Sequence, residues 1–122
     1  MNIQIFGKTK SFDTKKAERW FKERRIKYQY IDLIRYGMSR GELNAVVAAV
    51  GLDNLADPAD QDYELFMRLA RREDKLEKLF EIPEMIAAPV VRNGKQATVG
   101  YCPDVWKTWE QVDKTPALSG SF

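Results

Sequence analysis

Histidine is absent from this chain of 122 residues, and cysteine occurs once, at Cys102. The first absence removes Ser-His and Cys-His catalysis, histidine-ligated metals and the usual proton shuttle near neutral pH. The second excludes an intramolecular disulfide, two-cysteine redox chemistry within one molecule and any cysteine-rich zinc site, and it fits a reducing compartment. No apolar run approaches the roughly 20 residues that span a bilayer, and the apolar stretch of MNIQIFGKTK is too short for a signal-peptide core. A cytoplasmic protein without membrane contact is expected. An excess of one charge is lacking too: 20 Lys+Arg against 18 Asp+Glu leave +2, which gives no reason to expect direct nucleic-acid binding.

With 44% hydrophobic and 31% charged residues, the chain has the balance of a globular protein, and its length suits a single core. One domain is expected over residues 1–113, with a flexible tail at 114–122. Ile3, Ile5 and Phe6 read as a strand that enters the polar loop Gly7 to Thr14. A helix follows, with Asp13 as the expected N-cap, Ala17, Trp20 and Phe21 on its apolar face, and an end near Arg25. Its basic residues Lys15, Lys16, Arg19, Lys22, Arg24 and Arg25 read as a solvated face. Ile26 to Ile31 reads as a second strand, parallel to the first through a right-handed crossover.

A helical insertion is expected at about 38–82. Ser39 and Glu42 have capping-box spacing, and Gly51 stops the helix they open. The segment Leu52 to Asp60 reads as a polar connection. Gln61 to Phe80 keeps a helical rhythm in two pieces, broken around Arg72 to Asp74. Beyond Pro83, Ala88 to Val99 holds two strands around Asn93-Gly94, a strong hairpin signal. Pro103 then opens a last helix with Cys102 as its N-cap and Val105, Trp106 and Trp109 on one face. The fold class is therefore α/β, with a mixed four-stranded sheet built as β-α-β, helical insertion, β-β-α.

That order is the thioredoxin/glutaredoxin arrangement, and it brings Gly7 to Thr14, Ala88-Pro89 and Val99 to Asp104 to one sheet edge. The segments IFGKTKSFDTKKAERWF and APVVRNGKQATVGY resemble the arsenate reductase and Spx (ArsC/Spx) family, over nearly the whole chain. The resemblance implies a thiol oxidoreductase whose nucleophilic cysteine falls at Ser11, hence one inactive as written or limited to thiol exchange at Cys102, with a second cysteine of the Spx branch at Thr14. A helix N-terminus there would stabilise a thiolate, whereas a serine hydroxyl gains no comparable help and finds no histidine base. Ser11 reads as a hydrogen-bond acceptor at the helix start or an anion contact, or as a plain loop or cap serine. The reductases also carry an arginine before the strand-opening proline and another near Tyr101. Ala88 and Tyr101 occupy those places, so arsenate reduction is not expected, because an oxyanion needs several charge-assisted bonds.

The resemblance further implies a cis bond at Pro89, although a trans proline suits a strand start equally. Val99, Gly100, Tyr101 and Asp104 resemble the glutaredoxin stretch that holds glutathione, and Thr14 and Lys15 at the helix start complete the expected ligand contacts. A strand turning into a helix needs the same residue types. Cys102 reads either as a single exchanging thiol or as a buried, inert cysteine. No cofactor or metal is expected, with glutathione as a co-substrate of any thiol exchange. The partners implied are glutathione or a thiol protein, and for a non-catalytic Spx-like regulatory module, RNA polymerase.

Overall fold

The computed structural model describes residues 1–114, and the tail expected beyond them lies outside the described residues. Strand β1 (Ile3–Gly7) sits centrally in a sheet ordered β2-β1-β3-β4. Ile3 and Ile5 are buried on one face and Phe6 on the other, as a strand covered on both sides requires. It runs parallel to β2 (Tyr28–Asp32), from Ile3 opposite Tyr28 to Gly7 opposite Asp32. It is antiparallel to β3 (Val90–Asn93), which pairs in turn with the edge strand β4 (Gln96–Val99). The hairpin is as expected, but its two-residue turn is Gly94-Lys95, since Asn93 still pairs with Gln96 and Gly94 takes the positive φ of 63°.

Helices α1 (Phe12–Glu23) and α6 (Pro103–Lys114) cover one face of the sheet. Trp20, Phe21, Trp106 and Trp109 fill that layer with Ile3, Ile5 and Val91. The rings of Trp20 and Phe21 meet Trp106 with centroids 5.5 and 5.1 Å away. Such pairs add about 0.5–1.5 kcal/mol beyond simple burial. Val105, expected on the same face, is instead 42% exposed, because it precedes Trp106 by one residue and so points about 100° away.

The insertion covers the other face. It comprises α2 (Leu33–Tyr36), α3 (Arg40–Val50), α4 (Tyr63–Arg68) and α5 (Arg72–Glu81), with short 3-10 turns at Asp53–Leu55 and Pro83–Met85. Leu33, Leu43, Val46, Leu55, Phe66, Leu79 and Ile86 pack there against Phe6 and Val90. The capping box is formed, Glu42 N–H donating to Ser39 Oγ at 3.1 Å and Ser39 N–H to Glu42 Oε1 at 2.9 Å, and Gly51 ends α3 with φ 90°. The break between α4 and α5 falls at residues 69–71, earlier than expected, with the Asp74 carboxylate held by Arg71 at the α5 start. The segment expected as a polar connection buries Leu52, Leu55 and Ala56. It is tied to the chain entering β3, with Asp57 N–H donating to Met85 O at 2.8 Å and Ala87 N–H to Leu55 O at 2.7 Å.

Candidate functional site

Register alone brings together the three segments expected at one sheet edge. Gly7 pairs with Asp32, Phe6 with Val90, and Val90 with Val99, so the residues just beyond these strand ends lie along one edge. That edge collects the loop Lys8 to Ser11, the Ala88-Pro89 pair and the Gly100 to Cys102 turn. The Ala88-Pro89 bond is cis, and Pro89 O accepts the N–H of Gly100 at 2.8 Å, fastening two of the three segments.

Ser11, not Asp13, is the N-cap of α1. Its backbone is extended (φ −85°, ψ 122°) and its hydroxyl oxygen accepts the N–H of Thr14 at 3.1 Å. Asp13 instead lies inside the first turn, where its charge suits the positive helix end. Thr14, expected to touch ligand, is 1% exposed, and its hydroxyl oxygen accepts the N–H of Lys8 at 3.3 Å. Pro89 is likewise buried. Both therefore shape the edge from beneath. Lys15, Tyr101 and Asp104 are exposed, while Val99 and Gly100 are half-buried.

Cys102 follows β4 and precedes α6, as expected of its N-cap, with its carbonyl accepting the N–H of Trp106 at 3.2 Å. Its surroundings favour the thiol over the thiolate. Burial pushes its pKa up, the Thr98 side chain works the other way, and the negative charge of Asp13 adds to the rise. The S–H donates to Val99 O at 3.2 Å. The partial ionisation expected of a cysteine at a helix start is thus reversed here by desolvation and an acidic neighbour.

Of the cations near the edge, Lys8 and Lys16 are engaged, whereas Lys10 and Lys15 are exposed and make no ion pair among the described residues. Lys16 lies 5.4 Å from the Tyr101 ring centroid and 3.9 Å from Asp13, which places the first turn of α1 against the Tyr101-Cys102 turn. Lys8, which sequence reasoning passed over, points into the insertion, with Nζ 2.9 Å from Glu84 O and 3.4 Å from Asp57 Oδ2. Only its place directly after a strand-ending glycine hinted at that. Arg92, on β3, lies toward the opposite end of the sheet and donates to Gln4 Oε1 at 3.0 Å, so it offers no cation beside Pro89. Among the described residues no cluster of acids or cysteines could hold a metal ion. An apolar groove of about 170 Å³, lined by Leu65, Phe66, Leu69 and Met85, lies within the insertion.

Three relatives bear on this arrangement. A global transcriptional regulator, Spx 2 of Oceanobacillus iheyensis, is 27% identical over 110 residues, covering 85% of this chain and 80% of its own. The structure named YffB protein superposes with a TM-score of 0.76 at 23% identity, over 88% of this chain and 97% of that one. This is the ArsC/Spx fold. The arsenate reductase from Vibrio cholerae has the same TM-score of 0.76 at 20% identity, with 86% of this chain and 94% of that one covered. No family model matches the chain. The resemblance read from the sequence is therefore supported in fold, a mixed four-stranded sheet with helices. No helix among the described residues is long and apolar enough to cross a membrane.

Proposed function

We propose that this ArsC/Spx-type chain is a non-catalytic interaction module that acts in the cytoplasm by docking on a protein, with RNA polymerase as the partner. The observation that carries this reading is the role of Ser11. The hydroxyl, at the residue the resemblance matches to the family cysteine, accepts the N–H of Thr14 and so caps α1. No histidine is present to serve as its base, and Lys8 is turned into the insertion. Ala88 and Tyr101 supply no side-chain cation for an oxyanion, and the Cys102 thiol is disfavoured as a nucleophile by burial. A scaffold retained without its reactive group suits recognition better than turnover, and the Spx 2 relative is a transcriptional regulator.

The test has two arms. The purified chain is titrated onto immobilised bacterial RNA polymerase, and binding that saturates is expected. In parallel, the chain is incubated with glutathione disulfide and a glutaredoxin substrate, and no turnover above the Cys102→Ser control is expected. Absence of polymerase binding, together with exchange that depends on Cys102, would establish a one-cysteine oxidoreductase using glutathione instead.

A further inference from the structure

The charge of the chain is unevenly placed. Residues 8–27 hold nine of the 20 Lys+Arg but three of the 18 Asp+Glu, whereas residues 53–84 hold ten Asp or Glu and five Lys or Arg. The acids of the insertion are largely paired at home: Asp53 with Lys75 at 2.8 Å, Glu77 with Arg40 at 3.0 Å, Asp74 with Arg71 at 3.2 Å, Glu64 with Arg68 at 3.5 Å. Three of the four exposed cations of α1 are not. Lys15, Arg19 and Lys22 make no ion pair or side-chain hydrogen bond among the described residues. They follow Phe12 at intervals of three, four and three residues, so the four side chains form one stripe along the helix. Phe12 is 82% exposed at its head, a large apolar group in water. Lys16 and Arg24 stand outside the stripe, engaged with Asp13 and Tyr101 and with Trp20 and Glu110 respectively.

We propose that this stripe is a docking surface for an acidic amphipathic helix of a partner protein, whose carboxylates meet Lys15, Arg19 and Lys22 and whose apolar residue covers Phe12. The proposal rests on the interaction-module reading and names the surface through which it works. Charge complementarity selects the occupant. A second copy of this chain would have to offer an insertion in which six of the ten acids are already paired at home and the other four, Asp60, Asp62, Glu81 and Glu84, do not keep the three-four-three spacing of the stripe. Nucleic acid would bring phosphates against Asp13 and Glu23, which share the exposed part of α1 with the stripe. A protein helix can place carboxylates at the same spacing and avoid both.

The probe is a labelled helix-forming peptide with glutamates at three-four-three spacing and one leucine at its head, compared with the same composition shuffled. Fluorescence anisotropy with the full chain should show the patterned peptide binding at least about fivefold tighter than the shuffled one, with affinity falling as salt rises past about 0.1 M. The Lys15→Glu/Arg19→Glu/Lys22→Glu variant should lose about tenfold or more, and Phe12→Ser should lose affinity with little change in salt dependence. Circular dichroism checks that both variants are folded. Equal binding of the shuffled peptide, tighter binding of single-stranded RNA or duplex DNA, or salt-sensitive self-association abolished by the charge reversal each overturns the proposal. The same variants are then presented to RNA polymerase. Unchanged polymerase binding by the charge-reversed chain overturns this surface and leaves the module reading intact, whereas a wild-type chain that binds the patterned peptide but not polymerase overturns only the choice of polymerase.

Discussion

The side chain of Thr14 occupies the space that a Cβ on Gly7 would need: the added carbon would collide with Thr14 Cγ2 and lie 2.8 Å from the Tyr30 ring. The close approach of β1 to α1 at the candidate site thus depends on Gly7 lacking a side chain, without any unusual backbone angle. Gly7→Ala should cost about 1–3 kcal/mol by overpacking, measured by urea denaturation. Adding Thr14→Ser, which removes the methyl and keeps the hydroxyl, should recover part of the loss. Additive effects in the double variant would show that the two positions do not compete for space.

The cap at Ser11 predicts two opposite substitutions. Ser11→Ala removes the acceptor for Thr14 N–H and should cost about 1 kcal/mol. Ser11→Cys places a sulfur at the same helix end, where the thiolate is favoured, and its thiol should titrate below about 8.5. The pH dependence of iodoacetamide alkylation in a Cys102→Ser background reads that pKa directly. A midpoint at or above the ordinary value would mean that the helix end no longer stabilises an anion.

For Cys102 the direction is the reverse. Burial first, and the Asp13 charge after the opposing Thr98 interaction, hold its pKa above the ordinary thiol range, so alkylation of the wild-type chain at pH 7 should be slower than that of an unfolded peptide thiol. Asp13→Asn should speed it. An unchanged rate in that variant would assign the whole effect to burial.

Tyr28 links folding to alkaline pH. Burial, then the hydrogen bond it donates to Glu18 Oε1 at 2.8 Å, then the Glu18 charge, raise its phenol pKa well above 10.0. The unfolded chain therefore releases that proton first, and the stability it contributes is fully present below the unfolded value and lost as pH rises from about 10 toward the folded one. Urea midpoints measured from pH 8 to 11 should fall at the upper end, and Tyr28→Phe should flatten the fall.

Trp106 is fully buried, and its indole N–H donates to Thr98 Oγ1 at 2.8 Å. Thr98→Val keeps the shape and deletes the acceptor, so it should cost about 1–3 kcal/mol. Thr98→Ser should cost less. Thermal unfolding followed by tryptophan fluorescence separates the two.

Much of the fold was legible because its signals are local. The Ser39-Glu42 box, the stop at Gly51, the hairpin glycine and Pro103 at a helix start each act within a few residues, and each is found at or beside its expected place. Where two local signals competed, the geometry chose. Ser11 and Asp13 both suit an N-cap, and Ser11 won because the chain leaves β1 in a turn, its N–H donating to Lys8 O at 3.0 Å, that presents its hydroxyl to Thr14 N–H.

The sequence by itself determined the absences that bound the chemistry: no histidine and one cysteine, with serine at residue 11, alanine at residue 88 and tyrosine at residue 101, where the family resemblance would place a cysteine and two arginines. Residue identities suffice for these, because a missing functional group stays missing in any fold. Only the tertiary structure decided how the remaining groups behave. Burial and Asp13 turned Cys102 from a candidate thiolate into a thiol, packing against Gly7 turned Thr14 inward, and Lys8 was drawn across to Asp57 and Glu84 of the insertion. Each outcome depends on residues distant in sequence, whose desolvation, contact and charge no local pattern records.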